Sequence, residues 1–152
     1  MILRNGPVLW SLLCLMLAAC QPAGPPPPTA AATAAPVADV QERVASALES
    51  AGFTVQRTAT GLTASTTTDG FARCLPVNVR DGSGDGRNVF TEVSEQRAAA
   101  TVAFRPTAAG TDVTWATRYG GRYRNRVDNT WFERACEGTG RLEALLSSAV
   151  SA

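Results

Sequence analysis

Oxygen-bearing side chains alternate with glycine in Asp81-Gly82-Ser83-Gly84-Asp85-Gly86, and Glu92 stands at the twelfth position counted from Asp81. Carboxylates and a hydroxyl at alternate positions can converge on a hard cation, and oxygen ligands at positions 1, 3, 5 and 12 with glycine at 6 have the spacing of a calcium loop. Asp81, Ser83 and Asp85 are then the candidate ligands. Opposed to this are Asn88, where such loops carry an apolar residue, and Val89, where they carry a polar one. If the segment after Asn88 is extended, Glu92 lies roughly 13 Å further along at about 3.3 Å per residue, too far to fold back onto an ion. The competing reading is a glycine-rich connection between two strands. Calcium is thus an alternative, and apart from it no cofactor is implied.

Arginine and aromatic residues mix in a second cluster, Trp115, Arg118, Tyr119, Arg122, Tyr123, Arg124, Arg126, Trp131, Phe132 and Arg134. Guanidinium groups bind anions bidentately and stack on rings, and both residue types are enriched at interaction hot spots. Arg118, Arg122, Tyr123, Arg124 and Trp131 are the candidate ligand or partner patch. Strand alternation offers a plainer account, with Trp115 and Tyr119 facing a core and Arg118 facing solvent. Catalysis has less to work with. The chain contains no histidine and no lysine, so Cys74, Cys136 or a serine would lack the usual base. Glu133 and Glu137 lie one turn apart if their segment is helical, but glycoside chemistry needs two carboxylates across a cleft. No catalytic residue is assigned, and the chain reads as a non-enzyme.

The elements that must position these residues follow from periodicity. Asp39 followed by Glu42 reads as a capping box, and Val40, Val44, Ala47, Leu48 and Ala51 recur at helical spacing up to Gly52. Phe53 to Gln56 and Leu62 to Ala64 alternate as two strands of a hairpin. Residues 65–73 are ambiguous, and Leu75 to Arg80 reads as a short strand with Pro76 at its start or edge. Val89 to Val93, Ala98 to Arg105 and Thr111 to Tyr119 follow as strands, Pro106 to Gly110 turning between the last two. Arg122 to Val127 extends the sheet. Leu142, Leu145, Leu146, Ala149 and Val150 form a closing helix with Thr139 as its cap. The expected fold is α+β: an antiparallel sheet of about 5–6 strands with the N-terminal and C-terminal helices packed on one face.

Upstream of the helix the chain changes character. Arg4 precedes an uncharged run from Val8 to Ala19, which is too short to span a bilayer and is cut off by Gln21 and a run of prolines. Leu17-Ala18-Ala19-Cys20 resembles the lipobox of bacterial lipoproteins. That resemblance implies a signal peptide over 1–19, removed during export, and a Cys20 that carries acyl chains such as palmitate. Gln21 is not the inner-membrane retention aspartate, which implies an outer-membrane anchor facing the periplasm. Residues 20–38, rich in Pro, Ala and Thr, are expected to form a tether, and 39–152 a small periplasmic domain. With Cys14 removed and Cys20 acylated, Cys74 and Cys136 are left in an oxidising compartment, where one disulfide is expected; two free buried thiols are the alternative. The 14 basic residues, all arginine, nearly balance 13 acids, which argues against nucleic acid as a partner. The order of helix, strands and helix is loosely similar, at fold level alone, to helix-grip domains of envelope assembly lipoproteins. The expected function is a lipid-anchored binding or assembly module meeting an envelope protein or glycan, with calcium binding at Asp81–Asp85 as the alternative.

Overall fold

Alternation along extended chain builds most of the molecule, a computed structural model of which describes residues 29–77 and 90–152. In chain order the elements are β1 (Thr29–Thr33), α1 (Val37–Ser50), β2 (Thr54–Arg57), β3 (Gly61–Thr66), β4 (Ala72–Arg73), β5 (Thr91–Thr107), β6 (Gly110–Asn125), β7 (Trp131–Ala135), β8 (Glu137–Gly138) and α2 (Arg141–Ser151). Six strands form an antiparallel sheet in the order β1-β6-β5-β3-β2, with β7 also paired to β6, and β4 pairs with β8 in a separate two-stranded ribbon. The α+β class with an antiparallel sheet is the architecture expected from the sequence.

Strands β5 and β6 are far longer than expected. Thr91 to Val93, the described part of the expected Val89–Val93 strand, and Ala98 to Arg105 belong to one strand, interrupted only by a register shift between Val93 and Glu95, while Thr111 to Tyr119 runs unbroken into Arg122 and on to Asn125. The bulged Ser94 turns its hydroxyl to the Arg122 carbonyl at 3.1 Å, which lets the ladder resume with its faces in phase. On β5, Ala98, Ala100, Val102 and Phe104 are buried, as are Val113 and Trp115 on β6. These residues join Leu62 and Ala64 of β3, Val40, Val44, Ala45 and Leu48 of α1, and Leu142, Leu146, Ala149 and Val150 of α2 in one hydrophobic core. Phe53 and Phe71 close it edge to face, with ring centroids 4.9 Å apart.

Several boundaries differ from those expected. Residues 29–33 are strand rather than tether, pairing with β6 from Thr29 opposite Trp115 to Thr33 opposite Thr111. Short threonine and alanine side chains suit an edge strand, and β6 would otherwise expose its unpaired backbone there. Helix α1 starts at Val37 behind Pro36, whose carbonyl accepts from the Asp39 and Val40 amides at 3.1 and 3.2 Å. The Asp39–Glu42 capping box is therefore not made, and Glu42 instead meets Arg57 at 3.4 Å. Leu75 to Val77 is not strand, and 78–80 lie outside the described residues; extended pairing stops at β4. Thr139 does not cap α2. Gly140, in left-handed geometry at φ 82°, holds that position, while the Thr139 hydroxyl donates to the carbonyl of Gly70 at 2.8 Å.

A second, smaller cluster supports the far half of the β5–β6 hairpin. Cys74 and Cys136 are joined in a disulfide, Cα atoms 4.9 Å apart, and the bridge lies against Gly121 of β6. A Cβ at Gly121 would stand 2.8 Å from Cys74 Sγ and 3.1 Å from both Cys136 Sγ and Tyr123 Cε2, whereas one at neighbouring Gly120 would come no closer than 3.4 Å to any atom, the Arg134 carbonyl oxygen. Gly121→Ala should lower stability by about 1–3 kcal/mol through overpacking, and Gly120→Ala should be near neutral. Urea denaturation of the two variants checks the contrast, and equal losses would mean that the bridge does not press on Gly121.

Candidate binding surface

Beyond the turn that joins β6 to β7, antiparallel register sets the arginines and Trp131 side by side. Arg124 stands opposite Trp131 and Arg122 opposite Glu133, so all four project from the exposed face of the sheet. The Arg122 guanidinium lies 4.6 Å from the Trp131 ring centroid and that of Arg124 lies 6.0 Å from it, both within cation–π range. Arg124 is further held by the side chain of Asn129, a residue with left-handed backbone at φ 63° in the connecting turn. Trp131 keeps 47 % of its surface open. This is a rigid, stacked surface in which an aromatic face and two guanidinium edges remain available.

The expected patch is not reproduced whole. Tyr123 faces the other way: it is 2 % exposed, stacks on Phe132 at 5.4 Å between centroids, and donates its hydroxyl to the Leu75 carbonyl at 3.2 Å. Strand alternation is the reason, since Arg122 and Arg124 point outward and the residue between them must point in. Burial raises the Tyr123 phenol above its ordinary pKa, as suits a core residue. Arg118 shares the outward face, but four residues from Arg122 it stands roughly 13 Å away at about 3.3 Å per residue. It lines a shallow trough of about 530 Å³ with Thr54, Gln56, Thr63, Ser65 and Thr101.

Ion pairs that the sequence reading did not foresee lie on this face. Arg97 of β5 contacts Glu95 and reaches Glu133 Oε1 at 2.7 Å, so cross-strand neighbours already engage the two carboxylates flanking Arg122. The exposed half of β6 is therefore a mixed-charge surface with its aromatic ring at one end. The period-2 spacing of Glu95 and Arg97 was visible in the sequence, but their partnership with Glu133 depends on a strand order no local pattern specifies. Glu133 and Glu137, considered above as a helical pair, sit on separate strands. Glu137 meets Arg73 at 2.5 Å across the β4–β8 ribbon.

One further carboxylate is held by hydroxyls. Tyr119 and Thr117 on β6 donate to Glu143 Oε1 at 2.5 and 2.7 Å, in an open groove bounded by Cys136 and Gly138. Burial favours the protonated form of Glu143, but the Tyr119 and Thr117 hydroxyls together with the Glu143 backbone amide outweigh it and hold the carboxyl below its usual pKa. Burial, and then the hydrogen bond to Glu143, push the Tyr119 phenol up.

Asp81, Ser83 and Asp85 lie outside the described residues, as does Cys20. Glu92 is described: it is extended in β5 opposite Arg124. Among the described residues no group of three or more His, Cys, Asp or Glu is placed to hold a metal ion.

Two outcomes follow from these contacts. Reducing the Cys74–Cys136 bridge, which spans 62 residues, should cost about 4 kcal/mol in the chain-entropy account, read as a lower denaturation midpoint in reductant; an unchanged midpoint would show that the bridge adds nothing. Because Glu143 is depressed in the folded state, its contribution is present above the ordinary carboxylate range and is lost as pH falls through its folded value. Because Tyr119 is raised, its contribution is complete below the ordinary tyrosine range and is lost as pH climbs beyond it. Glu143→Gln should flatten the acid limb and Tyr119→Phe the alkaline limb of a stability–pH curve, and parallel curves for variant and parent would refute the pairing. Compared with known proteins, the chain matches no family model, no curated protein and no solved structure, so the geometry of these residues carries the functional argument.

Proposed function

We propose that this chain is an envelope lipoprotein of the binding or assembly type. Residues 1–19 are its signal peptide, Cys20 carries the acyl anchor, and the folded domain stands in the periplasm on the outer membrane. The lipobox-like Leu17-Ala18-Ala19-Cys20 supports the anchor, and a bridged Cys74–Cys136 pair suits an oxidising compartment. In this reading both helices lie on the buried face of the sheet. The single core that Leu48 of α1 and Leu146 of α2 share with Leu62, Val102 and Val113 supports that placement. The opposite face is then free for contact.

The observation that carries the binding role is Trp131, half open to solvent and flanked by the Arg122 and Arg124 guanidinium groups on a face that no other element covers among the described residues. A large ring with fixed cations beside it loses little entropy on contact and offers stacking and bidentate hydrogen bonds together. Nothing in this arrangement performs bond chemistry, so the role is adhesion or assembly rather than turnover. Labelled palmitate should enter the full chain and be lost on Cys20→Ser. Crosslinking in intact cells should join the chain to an envelope component, and the adduct should fall at least tenfold with Arg122→Ala plus Trp131→Ala, a loss of about 1.4 kcal/mol or more in contact energy. Unchanged adducts in that variant would remove the patch from the function.

A further inference from the structure

The strand at residues 29–33 changes where an anchored chain must leave the domain. Stepping back along β1 from Thr33 to Thr29 runs along β6 from Thr111 to Trp115, which is toward the β6–β7 turn. The first described residue therefore points at the end of the molecule that carries the arginine–tryptophan stack. Nine residues separate Cys20 from Thr29, a reach of at most about 30 Å at about 3.3 Å per residue. Along β6, nine residues also separate Trp115, the partner of Thr29, from Arg124, the partner of Trp131, again about 30 Å. At full extension the segment back to Cys20 thus covers about the distance from Thr29 to that end, so an acylated Cys20 holds the domain with that end toward the membrane.

The side chains gathered there suit such a surface. Among the described residues the large apolar side chains left most exposed are Val127 at 71 %, Leu75 at 55 % and Trp131 at 47 %, and all three belong to this end. Arg122, Arg124 and Arg126 are exposed at this end, together with the acids Glu92, opposite Arg124, Asp128, which accepts from Thr130 in the turn, and Glu133, engaged by Arg97. Trp favours the boundary between headgroups and acyl chains, and arginine pairs bidentately with phosphate while its methylene stem stays in apolar surroundings.

We propose that the β6–β7 end of the domain lies on the phospholipid bilayer that holds Cys20, with Trp131 and Val127 entering the headgroup region and Arg122, Arg124 and Arg126 on lipid phosphates. This rests on the acylation of Cys20 and names the bilayer itself as the partner of the patch. The test uses the full chain, acylated in cells and reconstituted into vesicles of phosphatidylcholine and phosphatidylglycerol whose acyl chains are brominated, with intact mass reporting the acyl group. Trp131 should be quenched by the bromines, and Trp131→Phe should leave only the unquenched emission of the buried Trp115. Arg122→Gln and Arg124→Gln should each weaken docking about fivefold, and vesicles without phosphatidylglycerol should weaken it as well. An acylated chain whose Trp131 escapes quenching overturns the membrane contact while leaving the anchor intact, and crosslinks from the same region to a protein would then assign the patch to that protein. A chain without the acyl mass overturns the anchor and this contact together.

Discussion

Because Thr91–Thr107 and Gly110–Asn125 pair along nearly their whole length, the position of every other element is measured from that ladder. Its backbone hydrogen bonds set which residues face in and which face out, and the bulge at Ser94 preserves that phase across a register shift. One edge of the hairpin takes β3 and then β2. The other is divided between β1, beside Thr111 to Trp115, and β7, beside Gly120 to Arg124. A slip of one residue would turn Trp115 and Val113 to solvent and Arg122 and Arg124 inward, so the core and the arginine–tryptophan face are specified by the same pairing.

The two halves of the hairpin are supported by different physics. Near the β5–β6 turn the helices supply leucine and valine to an extended apolar core, and burial stabilises the fold. In the far half there is little apolar bulk to bury. A disulfide seated on Gly121, the Tyr123–Phe132 stack and the hydrogen bond from Tyr123 to the Leu75 carbonyl do that work instead. A small domain that cannot extend its core along a long strand gains order from a covalent link. That link also closes the chain just past β7, which presents Trp131.

Helix α1, the β2–β3 hairpin and helix α2 were legible in the sequence because apolar spacing repeats within each over several residues. Their boundaries were less so. Pro36 rather than Asp39 begins α1 because its carbonyl can accept the first amides of the helix, and Gly140 rather than Thr139 precedes α2 because the Thr139 hydroxyl is drawn to the Gly70 carbonyl across the fold. Residues 29–33 read as tether since Thr-Ala-Ala-Ala-Thr has no pattern of its own; only the open edge of β6 makes it a strand. Of the patch, the outward arginines and Trp131 were foreseeable from composition. The burial of Tyr123 followed from alternation once β6 was known to continue past Tyr119 without a break.

The sequence by itself determined the chemical inventory: arginine as the only basic residue, no histidine, and four cysteines, of which Cys20 closes a lipobox-like run. Composition and local period act between neighbours along the chain, so they settle which side chains are present and which short segments are helical or extended. Only the tertiary structure decided that Cys74 meets Cys136 over Gly121, that Arg97 engages Glu133, and that Trp131 comes to rest beside Arg122 and Arg124. Those contacts join residues distant in sequence, and their free energy exists only once strand order and register have brought them together.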